Sequence, residues 1–263
     1  MLAANRRKIE AHLPDSAVVL DIGGWVRPWR RADFVVDALP YVTRGVEGIQ
    51  GDGPERFSPE TWIVADVNRT LPFEDNQFDF VTCSHVLEDI RDPLGLCEEM
   101  IRVSRSGYLE TPSRTMESVY ELDGRGYAGY CHHRWFVEVI GNHVIFRPKT
   151  DLLHGSRRFH LPRKVAASLS SEEQVTWLFW DDNFTYEERF VMSRQDMERD
   201  LIEFRSRFVP ANTLLVAAED PRRAFSAAVR RRAALRRLAS VALRREIPEL
   251  PYDKWGVEPP RAL

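Results

Sequence analysis

The chain has 263 residues, is 43% hydrophobic and carries a formal net charge of -3, enough apolar material for one α/β domain with an extension or a domain plus a small second unit. No run approaches the roughly 18 consecutive apolar residues of a spanning helix, and the start, MLAANRRKIEAHLPDSA, lacks the apolar stretch of a signal peptide, so a cytoplasmic protein is expected. Cys83, Cys97 and Cys131 have no CxxC spacing, which suggests neither a disulfide framework nor a structural zinc site, and no metal is expected.

Short apolar runs punctuated by Gly, Pro and Asp predict strands over 17–22, 34–36, 62–65, 78–83 and 107–110, at a spacing that suits a parallel sheet. Between the last two, Asp92 as N-cap and Pro93 at the first helical position open a crossover helix. Leu94, Cys97 and Ile101 share one of its faces, and Gly107 lies beyond its end. RWFVEVIGNHVIFRPK reads as two strands joined by a Gly141-Asn142 turn, an antiparallel pair that predicts a mixed sheet. From Ser171 the pattern turns helical, with Ser171/Gln174 and Ser193/Asp196 resembling capping boxes and Met197, Leu201, Phe204 and Phe208 at helical spacing. The segment 222–245, which opens on Arg222 and closes on Arg245, has only arginines among its charged residues and reads as a terminal helix. The expected division is a core over 1–150, an accessory region over 151–221 and an arginine-rich helix and tail over 222–263.

In a doubly wound sheet a ligand lies beyond the carboxyl ends of the strands. Asp21 ends the first predicted strand, Asp37 follows the second, Asp66 the third, and Ser84-His85 the fourth. A carboxylate after the second strand suits ribose hydroxyls, and one after the third suits an adenine amine. The stretch VVLDIGGWVRPW places Trp25 and Arg27 where a dinucleotide site needs glycines, and Pro28 follows; the span to the next strand is also too short for a full helix and two loops. A phosphate-free adenosine ligand is therefore favoured, and S-adenosylmethionine fits.

The stretch ADVNRTLPFEDNQFDFVTCSHVLEDIRDPLGLCEEMIRVSRSGYLETPS resembles the type 11 group of S-adenosylmethionine-dependent methyltransferases, with its LPF, acidic turn, FDxV, SHVLEH, DP-initiated helix and fifth strand at matching offsets. GYLETPS, HRW and GGWVRPWRRAD further resemble a bacterial subgroup with a shortened first loop. The resemblance spans about 18–149. It implies a Rossmann-like methyltransferase fold: a doubly wound, mainly parallel sheet with an antiparallel hairpin and a C-terminal helical extension. It also implies that Asp21, Gly23 and Gly24 line the methionine part of the cofactor, that Asp37 holds the ribose, and that Asp66 and Val67 flank the adenine. Trp25 stands where a small residue is usual and narrows or covers the pocket; Ser84 joins the same lining. Asp89 replaces the last His of SHVLEH.

Methyl transfer to a hydroxyl needs alignment and a base. His85, His133, Glu110 and His132 are the candidates, the first two ranked highest. Adjacent histidines on a strand point to opposite faces, so His132 and His133 are not expected to chelate one ion. Trp25, Trp29, Arg134 and Trp135 present flat faces beside donors, which suits a sugar ring. The expected acceptor is a small molecule or glycan, with O-methylation of a sugar hydroxyl. The arginine segment is read as a packed helix or as a peripheral contact with anionic membrane, and nucleic acid as an unfavoured partner. The alternatives are a non-catalytic scaffold on the same fold and an RNA methyltransferase.

Overall fold

The computed structural model describes residues 1–209. A helix missed in the sequence, α1 (Ala3–His12), precedes β1 (Val19–Ile22) and β2 (Phe34–Asp37); a single helical turn at Tyr41–Thr43 then leads to β3 (Trp62–Val64). Next come β4 (Phe80–Ser84), α2 (Pro93–Val103), β5 (Ser106–Pro112) and the short α3 (Arg114–Glu117). The hairpin strands β6 (Trp135–Ile140) and β7 (His143–Pro148) are followed by α4 (Asp151–His154) and α5 (Arg163–Ser168), and then by β8 (Val175–Asp181), β9 (Thr185–Glu188) and α6 (Arg194–Ser206).

Six strands form the main sheet in the order β3-β2-β1-β4-β5-β8, the first five parallel and β8 antiparallel to β5. This is a Rossmann-like α/β sheet. Its central strands are continuous aliphatic runs because both faces are covered. On one face, Leu20, Ile22, Val81, Cys83 and Leu109 pack against Leu96, Cys97, Met100 and Val103 of α2 and against Val137, Val144 and Phe146 of the hairpin. On the other, Val19, Val35, Phe80 and Tyr108 meet Ile9 of α1 with Trp29, Phe57 and Trp62. The α2 start follows its sequence signal: the Asp92 side chain accepts the Gly95 N–H at 2.9 Å, with Pro93 at the first position.

Two expectations are corrected. The hairpin does not join the main sheet; with β9, parallel to β7, it makes a second, three-stranded sheet. The antiparallel strand of the main sheet is instead β8, from the segment read as helical after Ser171. A reciprocal capping arrangement does exist one residue earlier, where the Ser170 N–H donates to Glu173 Oε2 (2.8 Å) and the Glu173 N–H to Ser170 Oγ (3.3 Å), but it closes a single turn. The aromatic run Trp177–Trp180 beyond it has strand character: Leu178 and Trp180 are buried on the main-core side, and Trp177 and Phe179 pack on the opposite side. The Ser193 signal holds, since Ser193 accepts the Asp196 N–H and α6 buries Leu201 and Phe204. Among the described residues no helix is long and apolar enough to cross a membrane. The arginine-rich segment 222–245 lies outside the described residues.

Candidate functional site

The carboxyl ends of β1, β2, β4 and β5 lie side by side, and the chain between β1 and β2 makes no helix. Gly23, at φ 74°, donates its N–H to Val36 O (2.8 Å), and a Cβ at Gly23 would stand 2.1 Å from Val86 Cγ2. Only glycine fits where this loop presses on the chain after β4. Asp21 is buried; its carboxylate accepts the Trp29 N–H (3.0 Å) and the Thr82 hydroxyl (2.8 Å). Burial pushes its pKa up to about 6 against those two hydrogen bonds. Both carboxylate oxygens are thus engaged inside the protein, and Asp21 anchors the loop. Gly24 sits on this carboxylate, 2.8 Å from Asp21 Oδ2 to the position a Cβ would take.

Trp29 is also corrected. It is fully buried, with its indole N–H on Glu10 Oε1 (3.0 Å), and takes the place on the sheet that a crossover helix would otherwise fill; it presents no face to an acceptor. Trp135 is likewise engaged, its indole N–H donating to Ile90 O (2.9 Å) and its ring packing on Phe146.

Asp37 is half-buried at the end of β2 and joins two loops, its Oδ2 accepting the Trp25 N–H (3.1 Å) and its Oδ1 the Leu39 N–H (2.9 Å). Burial raises its pKa, opposed by these N–H groups. The Trp25 indole donates to Thr43 Oγ1 (2.9 Å), so Trp25 is a strut between the loops after β1 and β2. Asp66 is exposed and holds an Asx turn: Oδ1 accepts the Asn68 N–H (3.0 Å) and its side-chain amide (2.8 Å), which hold its pKa down. Asn68 in turn accepts the N–H groups of Arg91 and Asp92, tying this turn to the start of α2. Val67 packs on the main core.

His85 follows β4 in the left-handed region, φ 60°, unusual for a residue with a side chain. Its Nε2 lies 3.3 Å from Glu110 Oε1 and its Nδ1 3.4 Å from Glu88 Oε1, and 45% of the side chain is exposed. Desolvation alone would lower its pKa, but the two carboxylates raise it to about 9. The two carboxylates thus favour the charged form of His85 at neutral pH. Glu110 is buried, yet His85, the Met1 amino group, the Tyr108 hydroxyl and the Leu2 N–H together bring its pKa down to about 2. Ser84 Oγ lies 3.4 Å from the same carboxylate.

This titration can be checked directly. With a folded-state pKa near 9 against an ordinary 6.5, His85 stabilises the fold below pH 6.5, and that contribution is lost as pH rises through 9. The melting-temperature gap between wild type and His85→Ala should be widest near pH 6 and close by pH 10, and the imidazole carbon shifts should titrate near 9. Titration near 6.5 would contradict the pairing.

His133 belongs to a second, buried network. Its Nδ1 is 2.6 Å from Glu117 Oε1, whose other oxygen accepts from Lys149 Nζ at 2.5 Å; Lys149 also donates to Tyr130 O (2.6 Å). Burial lowers the Lys149 pKa against the attraction of Glu117. Gly129, at φ 59°, abuts Glu117 so closely that a Cβ there would lie 2.5 Å from Glu117 Cα. His132 and His133 are not on a strand, since β6 begins only at Trp135, and their rings meet edge to face at 4.4 Å, which corrects the opposite-face expectation.

Glu88 links the two networks and was missed in the sequence. It is 1% exposed, neither of its oxygens has a hydrogen-bond partner among the described residues, and it lies 3.4 Å from His85 Nδ1 and 4.0 Å from His133 Nε2. The two highest-ranked histidines thus share one carboxylate. A cavity of about 410 Å³ lies at the opposite end of the strands, lined by Lys8, Ile9, Phe80, Ser106 and Phe179.

Residues 42–109 match the family model of the methyltransferase domain. An uncharacterized methyltransferase of Mycolicibacterium gilvum (strain PYR-GCK) is 38% identical over 103 residues, 37% of this chain and 39% of that one, so the match spans well under half of the relative's length. Among solved structures, a SAM-dependent methyltransferase from Aquifex aeolicus is 16% identical over 42% of this chain and 64% of its own, with a TM-score of 0.28. The YcgJ protein of Bacillus subtilis is 20% identical over 41% and 50%, with a TM-score of 0.28.

Proposed function

We propose that this chain, which carries a methyltransferase domain of the type 11 group, transfers a methyl group from S-adenosylmethionine to a hydroxyl of a small-molecule or glycan acceptor. The observation that carries the reading is Asp37. Each of its oxygens takes one loop N–H and keeps lone-pair capacity, and a half-buried carboxylate at the end of the second strand fits the paired hydroxyls of a ribose. Bound S-adenosylmethionine would supply an already activated methyl group, leaving alignment and proton removal to the chain.

In this reading Asp37 and the loop from Gly23 to Trp25 hold the nucleoside side, with Asp66, Val67 and Ser84 at its flanks. Glu110 and Glu88 bracket His85 and orient its ring at the end of β4. Arg134, beside Glu88 through its N–H to the Glu88 carbonyl (2.7 Å), is the basic residue read as meeting a glycan. A peripheral membrane contact through Arg222 to Arg245 stands as a further proposal, tested by deleting 222–263 and measuring sedimentation with anionic vesicles.

One observation favours a non-catalytic scaffold instead: the Asp21 carboxylate is occupied internally, so its presence has a structural cause independent of any ligand. A thermal-shift panel separates the readings. S-adenosylhomocysteine should raise the melting temperature by an amount that grows with the logarithm of its concentration above Kd, whereas NAD should leave it unchanged, since Trp25, a strut to Thr43, and Arg27 stand where a pyrophosphate would need glycine backbone. No shift with the nucleoside ligand, on a cooperatively melting sample, would favour the scaffold.

A further inference from the structure

Beside the buried networks, the segment 120–132 gathers a different set of side chains. Asp123, Cys131 and His132 are all exposed, and one ligand atom from each, a carboxylate oxygen, Sγ and a ring nitrogen, lies within 4.8 Å of the other two. Cys131 Sγ is 3.4 Å from Asp123 Oδ2, and His132 Nδ1 is 3.8 Å from the same oxygen. Tetrahedral zinc with bonds of roughly 2.0–2.3 Å sets its ligand atoms about 3.3–3.6 Å apart. Two of the three separations are therefore already close to the edges of such a tetrahedron.

The backbone brings these groups together before any ion arrives. Tyr120 and Ala128 form an antiparallel bridge, the Glu121 N–H donates to Tyr127 O (2.8 Å), and the Gly126 N–H donates to Glu121 Oε1 (3.2 Å), closing a turn that returns Asp123 to Cys131. The His132 ring is restricted on its other side by the rings of Tyr130 and His133.

We propose that Asp123, Cys131 and His132 form a three-residue site for a borderline divalent cation, zinc first, with the fourth position left to water or to an oxygen of another molecule. A thiolate and a carboxylate balance a divalent charge, while the thiolate and imidazole disfavour magnesium and calcium. None of the three residues holds the nucleoside in the methyl-transfer reading, so the two stand or fall separately.

The test uses the full chain, stripped of metal and kept reduced with a phosphine. Zinc titrated against a chromophoric chelator should bind at one ion per chain, and cobalt(II) should give a thiolate-to-metal absorption band. Cys131→Ser should remove that band, and Cys131→Ser and His132→Ala should each weaken zinc by roughly tenfold or more, since even partners one step removed from a ligand carry that much. Both side chains are exposed, so the melting temperature without metal should stay near that of wild type. Zinc affinity unchanged by either substitution, or no zinc binding at all, would overturn the assignment.

Discussion

Glu117→Ala should destabilise the fold by about 3–5 kcal/mol, the range for removing one partner of a buried ion pair. The Lys149 side chain is fully buried, and among the described residues its ammonium meets the Glu117 carboxylate and the Tyr130 carbonyl. Removing Glu117 also frees His133 Nδ1 and opens a void under Gly129, where the chain passes against Glu117. Urea unfolding at neutral pH is the measurement, read from the midpoint with the slope held constant. Pairing the change with Lys149→Met should recover part of the loss, because the charge left unpaired is then gone. A loss under about 1 kcal/mol in the single variant would mean that the pair is hydrated rather than buried.

Asp37→Ala should weaken S-adenosylhomocysteine binding by about 1–3 kcal/mol through the loss of charge-assisted hydrogen bonds to ribose. The same substitution strips the Trp25 and Leu39 N–H groups of their acceptor, so some stability is lost as well. Calorimetry on samples confirmed as folded separates the two effects. Asp66→Ala serves as the contrast. Its carboxylate is exposed and occupied by an Asx turn, so the expected effect on affinity is smaller than at Asp37. An Asp37 variant that binds as tightly as wild type would remove the ribose assignment.

The parallel strands were legible because burial on both faces makes them unbroken aliphatic runs, and α2 because Asp92 and Pro93 mark its start. The Gly141-Asn142 hairpin was read correctly as a pair and wrongly as part of the main sheet, since sequence periodicity reports which residues alternate but not which edge receives them. β8 was hidden by the Ser171/Gln174 capping reading; the reciprocal pair is Ser170 with Glu173, and it closes a lone turn. At the site, the strand-end positions of Asp21, Asp37 and His85 could be read, but not what occupies them. The internal partners of Asp21 come from Trp29 and Thr82, and the charge of His85 comes from Glu88 and Glu110. Glu88 did carry a signal, as part of the SHVLED stretch. The pair of Glu117 with Lys149 did not, because it joins a short helix to the end of a hairpin across residues with no shared local pattern.

The central claim is that the nucleoside binds beyond the carboxyl ends of β1, β2 and β4. The most direct measurement is the change in backbone amide shifts as S-adenosylhomocysteine is added to isotope-labelled protein. The expected result is a set of saturable shifts at Gly23, Gly24, Trp25, Asp37, Leu39, Val67 and Ser84. Shifts confined to Lys8, Ile9, Phe80, Ser106 and Phe179, around the cavity at the other end of the strands, would contradict it.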